Sequence, residues 1–293
     1  MPIPHYHSPL MNNKRILALF AHPDDEIIGP GGTFAHYAAA GVRIEAVYAT
    51  RGEAGEISDP TLATPETLGE VREQEMLCAA QALGFQKVHF LGYRDSGMAG
   101  TTENQHPNAY INAPDEAVLA QLVPIIRAIR PHLIITFEPY GGYGHPDHLA
   151  IHKHALAAYT LAADPTYQPE LGTPWQTPRL FYDVLMMSFF DRMMAHMQAH
   201  GIDTTQMESN FTERRVKGWP EGKVTCTLDV SATVDAKFAA YRCHRTQFGP
   251  DGFLRQLPEA EMKRLQSQEY FYLARPEQPG LVLTDLFEGI DIE

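Results

Sequence analysis

Ile16-Leu17-Ala18-Leu19-Phe20, running straight into Ala21-His22-Pro23-Asp24-Asp25-Glu26, is the stretch that decides the fold. Its first five residues form a short, continuous apolar run, the pattern of a strand buried on both faces in a parallel sheet. The polar cluster follows at once, at the strand end where open α/β sheets bind ligands. Taken alone, Pro23 beside two aspartates also reads as an ordinary helix N-terminus that needs no ligand. A helix from about Glu26 to Ala40, stopped by Gly41, completes the first strand–helix unit.

The alternation continues outward from that unit. Val42 to Thr50 reads as a strand, Glu66 to Leu83 as a helix ended by Gly84, and Lys87 to Tyr93 as a third strand. Val118, Leu122, Ile126 and Ile129 recur at helical spacing within Asp115–Arg130, where Pro124 should bend or split the helix. Leu133 to Phe137 is another fully apolar strand. Strands alternating with helices predict an α/β fold: a Rossmann-like, mostly parallel sheet covered by helices on both faces. The second half is less regular. Ala163 to Arg179 reads as a proline-rich loop, Leu180–Ser188, Val224–Val230 and Tyr270–Ala274 as strands, and Ala232–Arg245 as a helix. We expect one domain over residues 1–293. Residues 1–12 form a flexible lead, 13–160 a Rossmann-like core carrying the site, and 161–293 an α+β portion walling the pocket.

At 293 residues the chain can bury roughly three quarters of its unfolded surface. Its 36 acidic against 23 basic residues leave a formal charge of −13, a field that repels nucleic acid and anionic lipid, so neither is an expected partner. Cys78, Cys226 and Cys243 are far apart and odd in number, which predicts reduced thiols rather than a disulfide. The opening residues hold no apolar signal core, so a cytoplasmic location is expected, and His5 and His7 read as part of a frayed terminus. A homo-oligomer is left open.

A second polar cluster, His145-Pro146-Asp147-His148, follows the apolar strand ending at Phe137, after the loop Gly141-Gly142-Tyr143-Gly144. Two histidine–carboxylate clusters on one sheet edge are costly unless they share a partner, and a metal ion is the obvious one. Two histidines and a carboxylate with a position left for water make the open arrangement of catalytic zinc. We assign His22, Asp25 and His148 as ligands. His22 and Asp25 lie three apart across a strand-to-helix turn, and His148 closes the site from the other strand. His36, His152 and His154 fall on predicted helices and read as surface or packing residues, while Met186, Met187, Met193, Met194 and Met197 read as core filling or a pliable wall.

These clusters resemble the hallmarks of the PIG-L/LmbE-type de-N-acetylases. The likeness extends through Thr50-Arg51-Gly52-Glu53, Arg72, Arg94-Asp95-Ser96-Gly97-Met98 and Gly141 to His148, with a weaker echo at Cys243-His244-Arg245-Thr246-Gln247. Within the family the likeness is greatest to the mycothiol-biosynthesis deacetylases and the mycothiol S-conjugate amidases. The resemblance implies zinc, or iron(II) as the native metal, with Asp24 as general base. It also implies His145 and Tyr143 as donors to the oxyanion, the former cationic and oriented by Asp147, and Arg72 and Asp95 as contacts to sugar hydroxyls. The implied activity is hydrolytic removal of acetyl from an N-acetylglucosaminyl small molecule or glycoconjugate, or, alternatively, amide cleavage of a thiol S-conjugate. Passive packing of Tyr143, an intrahelical salt bridge for Arg72 and turn capping by Asp95 stay open, as does whether His244 reaches the pocket. An iron(II) oxygenase shares the two-histidine-one-carboxylate set, but usually on a β-barrel. A sugar-binding module without activity would not need the base.

Overall fold

A computed structural model describes residues 12–204, 218–249 and 257–291, so the expected flexible segment at 1–12 lies almost wholly outside the described residues. The apolar run becomes β1 (Arg15–Phe20), whose last five residues are all buried. Around it stand β2 (Arg43–Thr50), β3 (Lys87–Tyr93), β4 (Leu133–Phe137), β5 (Arg179–Asp183), β6 (Cys226–Asp229) and β7 (Gln268–Arg275). They form one seven-stranded sheet in the order β3-β2-β1-β4-β5-β7-β6. The five strands β3 to β5 in that order are parallel, with Ile16 in register with Ile44 on one side and Leu133 on the other. The α/β, mostly parallel architecture is therefore as the sequence indicates.

The chain moves from β1 to β3 in one direction and then returns to place β4 on the far side of β1. Right-handed crossovers put helices on opposite faces when the direction reverses, and the reversal opens a crevice at the carboxyl ends of β1 and β4. Helices α2 (Gly31–Ala39) and α3 (Leu68–Leu83) pack over β2 and β3, while α4 (Asp115–Ile129) and α6 (Pro146–Ala163) pack on each other and on β1 and β4. The short α1 (Asp25–Ile28) and α5 (Gly141–Gly144) lie at the crevice itself.

Three local expectations are corrected and one is narrowed. The helix foreseen over Glu26–Ala40 is broken at Gly29-Pro30 into α1 and α2. A Cβ on Gly29 would come within 1.9 Å of the Asp183 carboxylate. The polar groups freed by the break are taken up from the other half of the chain, Gly29 O by Lys237 Nζ at 2.6 Å, and Gly32 N and Thr33 N by Glu269 at 2.9 and 2.7 Å. Pro124, by contrast, does not split α4, because buried Leu122, Val123 and Ile126 hold its inner face on the core. The strand expected to reach Ser188 stops at Asp183, and α7 (Met187–Ala199) follows, burying Met193 and Met197. Finally, Cys78 of α3 and Cys243 form a disulfide, leaving Cys226 as a buried free thiol.

Cys243 lies just past α8 (Val234–Tyr241), which packs on α2 and α3. The helix α9 (Glu259–Leu265) leads into β7, which pairs antiparallel with β5 and with β6, extending the sheet beyond its parallel part. No helix among the described residues is long and apolar enough to cross a membrane.

Candidate metal centre

Both polar clusters arrive at the crevice. Asp25 folds its carboxylate back on the end of β1, accepting from Ala21 N at 3.0 Å and His22 N at 2.8 Å. His148, in the first turn of α6, lies parallel to Phe137 with ring centroids 4.0 Å apart. Its Nδ1 faces the Gly141 carbonyl at 3.0 Å, which can only accept, so Nε2 presents its lone pair to the crevice. That Nε2 lies 3.2 Å from His22 Nδ1 and 3.2 Å from Asp25 Oδ1. Ligand bonds of about 2.0–2.1 Å at tetrahedral angles place donor atoms roughly 3.3 Å apart. Two edges of the triad are near that spacing and the third, His22 Nδ1 to Asp25 Oδ2, is 3.8 Å, so the three groups could hold one ion.

The other face of His22 supports the same reading. Its Nε2 lies 3.2 Å from Asp147 Oδ2 and 3.4 Å from Asp95 Oδ1, carboxylates that accept its proton and leave Nδ1 free to ligate. Asp25, Asp95 and Asp147 thus crowd one buried imidazole, and Asp147 Oδ1 is buried with no hydrogen-bond partner among the described residues. A cation answers that accumulation of buried negative charge. Burial works against ionisation of Asp95, yet His22 beside it holds its carboxyl well below the usual range, and Asp25 is held down at about 2, against its burial, by His148 and His22. His145 is a further candidate donor, since its ring, His22 and His148 offer nitrogens within 4.8 Å of one another.

Asp24 lies beside these ligands in a left-handed conformation, φ 109°, which costs a non-glycine residue roughly 1–3 kcal/mol. Its Oδ2 accepts from Arg72 Nη2 at 3.1 Å, and its backbone N–H donates to Glu26 Oε2 at 3.0 Å. Burial pushes the Asp24 carboxyl up to about 6, against the pull of Arg72. Arg72 is 3% exposed and also bonds the carbonyls of Pro23 and Gly52. It makes no salt bridge to Glu73 or Glu75, and the carboxylate it pairs with is that of Asp24. Glu73 pairs with Arg51, and Glu75 accepts from Thr246.

The partner expected for His145 is corrected. Asp147 meets His145 through its backbone N–H, which donates to Nδ1 at 3.2 Å and makes His145 the cap of α6. The Asp147 carboxylate turns instead to His22 and to Ser96 N. Accepting at Nδ1 leaves Nε2 as the protonated nitrogen of a neutral ring. Burial, then His22 and His148, lower its pKa to about 4, where a cationic side chain was expected. The carboxylate nearest Nε2 is Asp95, at 3.9 Å. Asp95 also receives Gly97 N at 2.8 Å, the turn-capping contact its sequence context suggests. Tyr143 is 38% exposed at the mouth, its ring centroid 5.0 Å from that of His148.

Two residues matter more than the sequence indicates. Glu26 is completely buried and accepts from Tyr48 and from Asp24 N, and His244, equally buried, meets it at 2.7 Å. The faint echo around Cys243–Gln247 was the signal for His244, although it touches the site only through Glu26. His152 and His154 face the Phe137 carbonyl and Tyr110 in packing roles.

Comparison with known proteins agrees with the geometry. The family model for GlcNAc-PI de-N-acetylases (PIG-L) matches residues 17–159. A Streptomyces avermitilis protein named 1D-myo-inositol 2-acetamido-2-deoxy-alpha-D-glucopyranoside deacetylase is 37% identical over 95% of this chain and 98% of its own length. A Thermobifida fusca protein of the same name is 37% identical over 92% and 96% of the two chains. Among solved structures, the N,N'-diacetylchitobiose deacetylase of Pyrococcus horikoshii superposes with a TM-score of 0.62, 21% identity and coverage of 90% of this chain and 86% of that one, a likeness of fold.

Proposed function

Since the chain belongs to the PIG-L family of de-N-acetylases, as its motifs indicated, we propose that it hydrolyses the acetamide of an N-acetylglucosaminyl small molecule, with zinc held by His22, Asp25 and His148. An inositol glycoside of N-acetylglucosamine is the first substrate to test, because relatives matching nearly the whole chain carry that name. The observation that carries the reading is the convergence of two ring nitrogens and a carboxylate, His148 Nε2 lying 3.2 Å from both His22 Nδ1 and Asp25 Oδ1 and His22 Nδ1 3.8 Å from Asp25 Oδ2, with Asp24 beside them.

When bound, the metal polarises the acetamide carbonyl and acidifies water. The chain's own groups do the rest. Asp24, ionised near neutral pH and anchored by Arg72, takes the proton of the attacking water as it adds to the carbonyl carbon. Neutral His145 donates from Nε2 to the oxygen that gains negative charge, and Tyr143 adds a donor at the mouth. Asp24 then returns its proton to the departing amine, so that acetate and a free glucosaminide leave. Asp95 and Asp147 keep His22 in the tautomer that leaves Nδ1 unprotonated.

The test is primary-amine release from the inositol glycoside and a panel of other N-acetylglucosaminides by zinc-loaded protein. Release that is lost on chelation and restored by zinc supports the reading. No release from any member, with stoichiometric metal bound and an amide of a thiol S-conjugate cleaved instead, would replace it by the amidase.

A further inference from the structure

The second half of the chain sends one short segment to the back of the crevice. Just past α8, Cys243 is bonded to Cys78 of α3, His244 meets Glu26, and Thr246 donates its N–H and hydroxyl to Glu75 of α3 at 2.8 and 2.6 Å. Thr246 O accepts from Ser58 N at 2.8 Å, and Gln247 Nε2 donates to Glu56 O at 2.8 Å. Ser58 Oγ also donates to Arg245 O at 2.8 Å, so the segment is tied at six points to α3 and to the loop before it. What it presents inward is one imidazole, 0% exposed.

That imidazole faces Glu26, also 0% exposed, whose two oxygens divide their work. Oε1 takes His244 Nε2 at 2.7 Å, and Oε2 takes the Tyr48 hydroxyl at 2.9 Å and the Asp24 backbone N–H at 3.0 Å. The last bond matters most, because Asp24 sits at φ 109° and such a conformation persists only where its surroundings over-determine it. Arg72 fixes the Asp24 carboxylate from one side, and Glu26 fixes its backbone from the other. Without His244, no other hydrogen bond among the described residues directs Oε1, and Glu26 is free to turn towards another donor. His244 Nδ1 is buried with no hydrogen-bond partner among the described residues, so the ring is held there by the Glu26 contact rather than by bonds of its own.

We infer that His244, acting through Glu26, is a positioning residue that holds Asp24 in its working conformation. This rests on the reading of Asp24 as the base that takes the proton from water. His244 touches neither substrate nor metal in this scheme, so its loss changes turnover and leaves binding alone.

The test compares zinc-loaded wild type, His244→Ala, His244→Gln and Asp24→Asn on the same acetylated glucosaminide, with metal content measured for each. Outer contacts of this kind are worth about 10- to 100-fold in activity. We expect kcat of His244→Ala to fall by about that factor, with KM within about twofold and full zinc occupancy. His244→Gln, which keeps a donor to Glu26, should recover most of the loss. In an Asp24→Asn background the His244→Ala change should cost less than about twofold, because residues acting as a unit are not additive. Wild-type kcat in fully loaded His244→Ala overturns the inference, as does a loss confined to KM. If His244→Ala does not fold, Glu26→Gln carries the same comparison, and an undiminished kcat there overturns it equally. An Asp24→Asn protein as active as wild type would instead show that the base assignment itself has failed.

Discussion

Asp24 holds an unusual backbone, a raised carboxyl and two anchors, a combination that ordinary helix capping does not require. Replacing it by Asn keeps shape and removes the base, so kcat should fall by about 10²- to 10⁴-fold with bound zinc unchanged, checked by steady-state kinetics and metal analysis. His132, at the opposite edge of the sheet, accepts from Arg15 N, and burial together with Arg15 and Lys14 lowers its pKa to about 4. A lowered histidine contributes stability that is present above the unfolded value near 6.5 and lost as pH falls towards 4. The wild type should therefore lose chemical stability across that window, and His132→Asn should lose less, measured by urea unfolding at pH 7 and 4.5. That His22, Asp25 and His148 meet at one place was legible because residue type, spacing and strand ends agreed. The partner of Asp147 was not, since its near neighbour in sequence, His145, meets only its backbone, and its carboxylate reaches His22 across the crevice.

At the scale of elements, the parallel strands and the helices α3 and α4 announce themselves through apolar runs and terminal glycines. The break between α1 and α2 does not, because its cause, the approach of Asp183 and the capping by Lys237 and Glu269, comes from residues far along the chain. The disulfide between α3 and the end of α8 escaped for the same reason, its cysteines being 165 residues apart. Unfolded, unreduced protein should titrate one thiol and reduced protein three, and reduction should lower stability by about 2–4 kcal/mol, read from denaturant midpoints. Three thiols before reduction would contradict the link.

For the whole molecule, the sheet order places the two polar clusters at one switch point, which is why a single early strand and its sequel carry so much of the fold. The antiparallel extension by β7 and β6 was visible only as strand segments, since pairing direction leaves no local mark. If His22, Asp25 and His148 hold the metal, saturating zinc at about 1,000 times its Kd adds about 4 kcal/mol to stability. Zinc should then raise the melting temperature of stripped wild type and of Asp24→Asn by several degrees, and leave stripped His148→Ala unmoved. An equal rise in all three would place the ion elsewhere.

The central claim is that this crevice removes acetyl from an N-acetylated glucosaminide by a metal and Asp24 together. Its most direct test is amine release from the N-acetylglucosaminyl inositol glycoside by four samples: zinc-loaded and chelator-stripped wild type, stripped wild type with zinc restored, and zinc-loaded Asp24→Asn. The account expects stoichiometric acetate and amine from the loaded and the restored enzyme, and almost none from the other two. Undiminished release by stripped protein, or by the Asn variant with its zinc in place, would contradict it.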